Sequence, residues 1–385
     1  MTAPVQAKQT PGGAKKAAVP LRPFKVGVQD MDDEPFDKTV TTGASAVALD
    51  QYGVPSTAFL NEIELLVEGT TSGNSANVTY AADGPFNVID SMIFTDTGNS
   101  EIISSVTGWD LAMINKWGGY KFQDDPRTGS VYTATTGTGG TGGTFAFVLR
   151  IPMELVKRDA LGSLPNKSQS TPFKVKISVA PTATIYGTAP TAAPSVRFRF
   201  VPQSYWQPTQ TDGSGNPVAD QPPGVGTTQY WNKTDYTVSA GSATVQLTNS
   251  TGFPVRNLIF VLRDSSLSRS QGESDWPDPA KLQLQSNIIV DRIKKLWQDK
   301  LTRAYNYSAV GDAAGGKDNG VYVIPFNQDF TQKPGWENRR QYLRTTDGMR
   351  LQFKGTIGGS GTHTLTVLTN YVGVAGRVSL AQLTT

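Results

Sequence analysis

The residues that could do chemistry are few. Carboxylates adjoin at Asp32-Asp33 and at Asp124-Asp125. General acid–base work needs two carboxyl groups converging on one substrate, and neighbours along a strand point to opposite faces. The run DMDDE (30–34) offers oxygen ligands to a calcium ion but lacks the spaced ligands and the glycine of an EF-hand loop. Cysteine is absent and His363 is the only histidine. That composition removes disulfides, thiol chemistry and soft metal clusters, and it argues against a nucleophile–histidine–acid triad. His363 alternates with Thr362 and Thr364 in an expected strand and reads as an ordinary surface or interior histidine. The glycine-rich run TATTGTGGTGGT (133–144) lacks the Lys-Ser/Thr ending of a phosphate loop and precedes a strand where that motif precedes a helix, so it reads as a flexible surface loop. Tyr205, Trp206, Tyr230 and Trp231 could stack on a sugar, or could anchor a long loop or a subunit contact. No catalytic, cofactor-binding or metal-binding residue is assigned.

What remains is attraction rather than reaction. Up to Lys25 every charge is positive: Lys8, Lys15, Lys16, Arg22 and Lys25. Proline and glycine punctuate this stretch, which has too little apolar content to build a core of its own. It reads as an arm over residues 1–35 that is laid against something else. The whole chain carries 35 basic and 32 acidic side chains, a balance that predicts no specific nucleic-acid partner.

The elements that must position these residues are strands. Of 385 residues, 39 are Gly and 24 Pro, while charged residues are 17% against a usual figure of roughly 25%. No 18-residue apolar run suits a membrane-spanning helix, and no apolar leader segment is visible at the N-terminus. Alternation of period two begins near residue 56 and recurs in FKVKISV (173–179) and SVRFRFV (195–201). Short helices are expected after Pro152, over residues 152–166, and, as a helix or a loop, near Trp109 and Trp117. One longer amphipathic helix is expected over 287–306, with Ile289, Ile293, Leu296, Trp297, Leu301 and Ala304 on the stripe that packs on a sheet edge.

Landmarks recur in order along the chain: IDSMIF (89–94) with VRNLIF (255–260), RIP (150–152) with VIP (323–325), and FKVKISV (173–179) with MRLQFKG (349–355). A repeat this long is a whole domain. The reading is all-β: two tandem eight-stranded jelly rolls with short helices in the loops, plus an extended N-terminal arm. The boundaries are an arm at 1–35, a first roll at 36–203, a Pro/Gly-rich connection at 204–236, and a second roll with a C-terminal tail at 237–385.

This order resembles the double jelly-roll major capsid proteins, most closely those of tectiviruses, membrane-containing bacteriophages related in architecture to adenovirus hexon. The residues that carry the resemblance are NVIDSMIFTD (87–96) followed by TGWDL (107–111), VRFRFVPQSYWQ (196–207), the expected helix 287–306, and LTVLTNY (365–371) before a Thr-ended tail. The resemblance implies a homotrimeric, pseudo-hexagonal capsomer in a virion shell assembled in the host cytoplasm. Neighbouring capsomers, penton and minor capsid proteins would be its partners, and the basic arm would lie on an internal lipid membrane. The Pro/Gly-rich arm departs from the family, whose arm is helical. The competing expectation is a two-domain β-sandwich carbohydrate-binding or adhesin protein. A glycoside hydrolase would need a convergent carboxylate pair about 5–10 Å apart, for which the sequence offers no candidate.

Overall fold

The computed structural model describes residues 21–374 apart from 23, 25–27, 33–34, 73, 121–126, 128, 130, 156–159, 167–169, 207–213, 215–218, 221–226, 248–251 and 327–341. The first half contains β1 (Phe36–Thr41), β2 (Phe59–Thr70), β3 (Ile89–Thr95), β4 (Glu101–Val106), helix α1 (Gly108–Trp117), β5 (Phe145–Pro152), β6 (Lys174–Val179) and β7 (Ser195–Trp206). One sheet runs β5-β2-β7-β1, with Gln29–Asp32 extending the β1 edge and Tyr132–Ala134 pairing outside β5. The facing sheet runs β4-β3-β6 and is closed by the short strands Val47–Ala48 and Tyr52–Gly53. Alternation decides which face is inside: Phe173, Val175, Ile177 and Val179 are buried on one sheet, and Val196, Phe198 and Phe200 on the other.

The second half contains β8 (Thr227–Gln246), β9 (Val255–Arg263), α2 (Arg269–Asp275), β10 (Ala280–Leu284), β11 (Asn287–Arg292), α3 (Lys294–Tyr305), β12 (Val321–Pro325) and β13 (Leu351–Val374). Strands β8 and β13 each serve both sheets. Their pairing register breaks between Ser239 and Gly241, opposite Thr362 and Ile357. Gly241, Gly359 and Gly361 sit at that corner with φ of +105°, +67° and +79°, a region that costs glycine little. One sheet is then β12-β9-β13-β8 and the other β11-β10-β13-β8. This is the same order as in the first half, so each half is a jelly roll.

The two Ile-Pro landmarks occupy matching places. Pro152 and Pro325 end β5 and β12, which pair with corresponding strands; Tyr132–Ala134 flanks β5 only over Phe145–Phe147, so at Pro152 a missing N–H is tolerated. The third landmark pair also corresponds, since β6 and the first part of β13 hold the same place. The first pair does not. Ile89–Thr95 lies between β4 and β6, whereas Val255–Arg263 lies between β12 and β13 and is the counterpart of Phe59–Thr70.

Other expectations change. Residues 287–292 are strand, not the start of a helix. Their β-branched run pairs with β10, and the helix begins only at Lys294. Residues 227–236, expected within the connection, are strand. The described part of 152–166 holds no helix: Met153 and Glu154 both donate to Asn61 O, Leu155 donates to Leu161 O, and Leu164–Pro165 pairs with β2. The glycine-rich run is tied down. Asn74 Nδ2 donates to the carbonyls of Gly139 (3.0 Å) and Gly142 (2.5 Å), Tyr80 OH to Thr144 O and Tyr186 OH to Gly143 O.

Helix α2 lies so close on β9 that a Cβ at Gly272 would stand 1.9 Å from Leu262 O. Ala normally stabilises a helix over Gly by about 1 kcal/mol. Here Gly272→Ala is expected to destabilise the chain by about 1–3 kcal/mol through overpacking, read from the urea midpoint.

Candidate functional site: the junction between the rolls

Helix α1 follows β4 directly. Thr107 caps it: its Oγ accepts from Asp110 N–H (3.1 Å) while Asp110 Oδ2 accepts from Thr107 N–H (3.0 Å). A helix on a roll surface normally keeps one face wet, yet all ten residues of α1 are buried. The second roll covers it. Trp231 in β8 pairs in parallel with Ile103 in β4, and Lys233 N–H donates to Ser104 Oγ (2.8 Å), so the β4 sheet of the first roll runs on into the second.

Burial obliges each polar group at this seam to find a partner. Lys116 Nζ meets Asp318 Oδ2 at 2.7 Å, with both side chains almost wholly buried. Asp110 Oδ2 receives Lys233 Nζ at 2.7 Å. Burial alone would lower the Lys233 pKa, but Asp110 outweighs it and the net direction is up. Arg256 donates to Tyr120 OH (3.1 Å), Asn370 Oδ1 (3.1 Å) and Gly118 O (3.1 Å). Tyr120 OH donates to Gln229 Oε1 (2.5 Å), whose amide donates to Met153 O, and Asn257 donates to Trp117 O.

A second cluster sits at the other end of α1. Two guanidinium groups, Arg263 and Arg269, stand over the Trp109 ring, each 4.8 Å from its centroid. Both also bind Asp83, at 2.9 Å. Burial would push the Asp83 carboxyl up, but Arg263, Arg269 and Lys317 hold it below the usual carboxylate range. Arg269 further donates to the carbonyls of Gly316, Lys317 and Asn319, and Lys317 Nζ to those of Ala82 and Gly84. Asp312 accepts from Arg269 N–H and from Ser270 Oγ–H. These bonds outweigh burial and bring its pKa down to about 2.

The residues singled out from the sequence do not converge here. Lys8, Lys15, Lys16 and Lys25 lie outside the described residues, as do Asp33, Asp124 and Asp125; the backbone of Arg22 forms a short parallel pairing with Asp220. His363 is buried, with Nε2 2.9 Å from Asp275 Oδ2. Among the described residues no three acidic or histidine side chains gather as metal ligands. Tyr205, Tyr230 and Trp231 are buried and only Trp206 is exposed, so these aromatics form no open sugar platform. Sequence reading passed over Lys116 and Arg256. Their signal was a lone cation inside an apolar run, as in DLAMINKW (110–117) and FPVRNLIFVL (253–262).

No family model and no curated protein matches the sequence. Solved structures do. The STIV MCP is 13% identical, with 88% of this chain and 97% of that chain covered and a TM-score of 0.55. The PBCV-1 virus capsid model is 11% identical, covering 94% and 97%, at 0.58. The major capsid protein of bacteriophage PM2 is 12% identical, covering 90% and 100%, at 0.51. The chain has the fold of the double jelly-roll major capsid proteins. In this double jelly-roll chain the seam is a structural joint that holds two rolls as one block.

Removing one partner of a buried ion pair strands the other. Lys116→Met is expected to cost about 3–5 kcal/mol in urea unfolding, and adding Asp318→Asn to recover more than half of it. Asp312 has its folded pKa below its unfolded value of 3.8, so its stabilisation is complete above that pH and is lost as pH falls through about 2. Asp312→Asn should remove that part of the acid sensitivity, seen as a flatter melting temperature between pH 3.8 and about 2.

Proposed function

We propose that this chain is a viral major capsid protein that acts by assembly and not by catalysis. The observation that carries the reading is the whole-chain likeness to viral capsid proteins, with nearly the full length of each of those chains covered. The joint between the rolls supports it: a shell subunit must keep its two rolls in fixed register under lateral load, and a buried, hydrogen-bonded polar seam is a stiff way to do so.

In this reading three chains form a homotrimer of six rolls, a pseudo-hexagonal tile of an icosahedral virion shell. Neighbouring capsomers, penton and minor capsid proteins are its partners. Lys8, Lys15, Lys16, Arg22 and Lys25 face an internal lipid membrane, each contributing about 1 kcal/mol near anionic head groups. The tectivirus resemblance of the sequence supports that membrane role.

Light scattering on the purified chain is expected to give three times the 41.3 kDa chain mass. A monomer that persists at high concentration and in the presence of lipid overturns the capsid reading. Deleting residues 1–25 should leave the trimer folded but impair shell closure or vesicle binding; normal particles from that deletion would remove the role given to the arm.

A further inference from the structure

Among the described residues of the arm, Phe24 is seated in the first roll. It is 4% exposed, and its ring stands edge-on to Phe59 (5.1 Å between centroids) and to Tyr205 (5.9 Å), with Ala160 completing the cluster. Edge-to-face contacts on two sides make a specific seat for one ring. Just before it, Leu21–Arg22 pairs in parallel with Ala219–Asp220, in the connection between the rolls. Pro20 and Pro23 bracket that pair in the sequence and restrict the free arm, which lowers the entropy lost on seating.

The seat has a polar floor. Tyr205 OH donates to Glu154, 2.9 Å from each carboxylate oxygen, and both residues are buried. Burial, and then the Glu154 charge, pushes the Tyr205 hydroxyl above its ordinary value, so it stays a donor. Met153 and Glu154 are held on one side by Asn61 O. On the other, Met153 O accepts from Gln229 Nε2 at 3.1 Å. The seam converges on Gln229. Its Oε1 accepts from Tyr120 OH, Trp231 Nε1 and Asn370 Nδ2, and Arg256 reaches both Tyr120 and Asn370. A continuous line of contacts therefore runs from Phe24 through Tyr205, Glu154, Met153 and Gln229 to the Arg256 cluster. With Phe24 withdrawn, Tyr205 loses its cover and water competes for its bond to Glu154.

We propose that the cleft between Phe59, Ala160 and Tyr205 is a binding site for the arm, its ligand the Phe24 ring on a basic segment, and that its occupancy is coupled to the tightness of the seam between the rolls. The coupling runs both ways. A partner that draws Phe24 away loosens the joint, and a loosened joint releases the arm. This is a property of the single chain and stands apart from its assembly.

Hydrogen exchange on the full chain, read by mass spectrometry, tests it. Phe24→Ala is expected to speed exchange of the amides at Gly118–Tyr120 and Gln229–Trp231 by about tenfold and to leave those of β6 unchanged. A peptide of residues 17–28 added to that variant is expected to restore slow exchange, while the same peptide carrying Phe24→Ala does not. Tyr205→Phe keeps the ring and removes the hydroxyl. It is expected to speed the same amides with Phe24 still seated, seen as slow tryptic cleavage after Lys25, and to leave Phe24→Ala nothing to add in the double variant. Unchanged seam exchange in Phe24→Ala, equal speeding in β6, or a double variant whose two effects multiply overturns the coupling. Cleavage after Lys25 as fast as after Lys8 in the wild-type chain overturns the seat itself.

Discussion

Helix α1 carries a buried lysine and a buried aspartate whose counter-charges lie outside their own roll. Lys116 needs Asp318 and Asp110 needs Lys233, and both partners lie in the second half of the chain. The cost of leaving such charges unpaired exceeds most single contributions to folding. The second roll is therefore held where those partners reach, with β8 beside β4 and Trp109 in contact with Arg263 and Arg269. The stance of the two rolls, and the directions in which their free edges point, follow from that requirement.

The cores of the rolls impose less. Stacked and edge-on aromatic pairs such as Trp276 with Tyr322 and Phe36 with Phe200 fill them, and apolar packing of the right volume tolerates many solutions. A guanidinium with three acceptors does not. Arg256 meets Tyr120, Asn370 and Gly118 in one arrangement, so the seam selects a single relative placement of two otherwise separable bodies.

Much of this was legible in the sequence where one local rule acted alone. Alternation over 173–179 and 195–201 marked strands and their inner faces, and the Ile-Pro pairs marked the ends of corresponding strands. The Thr107–Asp110 cap was present in the letters of TGWD, but only tertiary burial made a helix of a segment that also read as a loop. Reading failed where two rules competed. Residues 287–292 fit a helical stripe, yet β-branched Ile288, Ile289 and Val290 found a strand partner in β10. IDSMIF and VRNLIF look alike, but six apolar letters carry no label for which of two sheets they join. The seam was illegible for another reason: Lys116 and Asp318 are 202 positions apart, and nothing local links them.

That distance has a consequence in time. A ribosome adding about 5–20 residues per second reaches Asp318 some 10–40 seconds after Lys116. During that interval a folded first roll would present Trp109, Lys116 and the open flank of β4 to solvent, unshielded. The growing polypeptide thus passes through a stage in which its future internal seam is its stickiest outer surface, and a neighbouring nascent chain on the same messenger displays an identical one. Prompt arrival of the second half, or a chaperone holding the first, decides whether the seam closes within one molecule or between two.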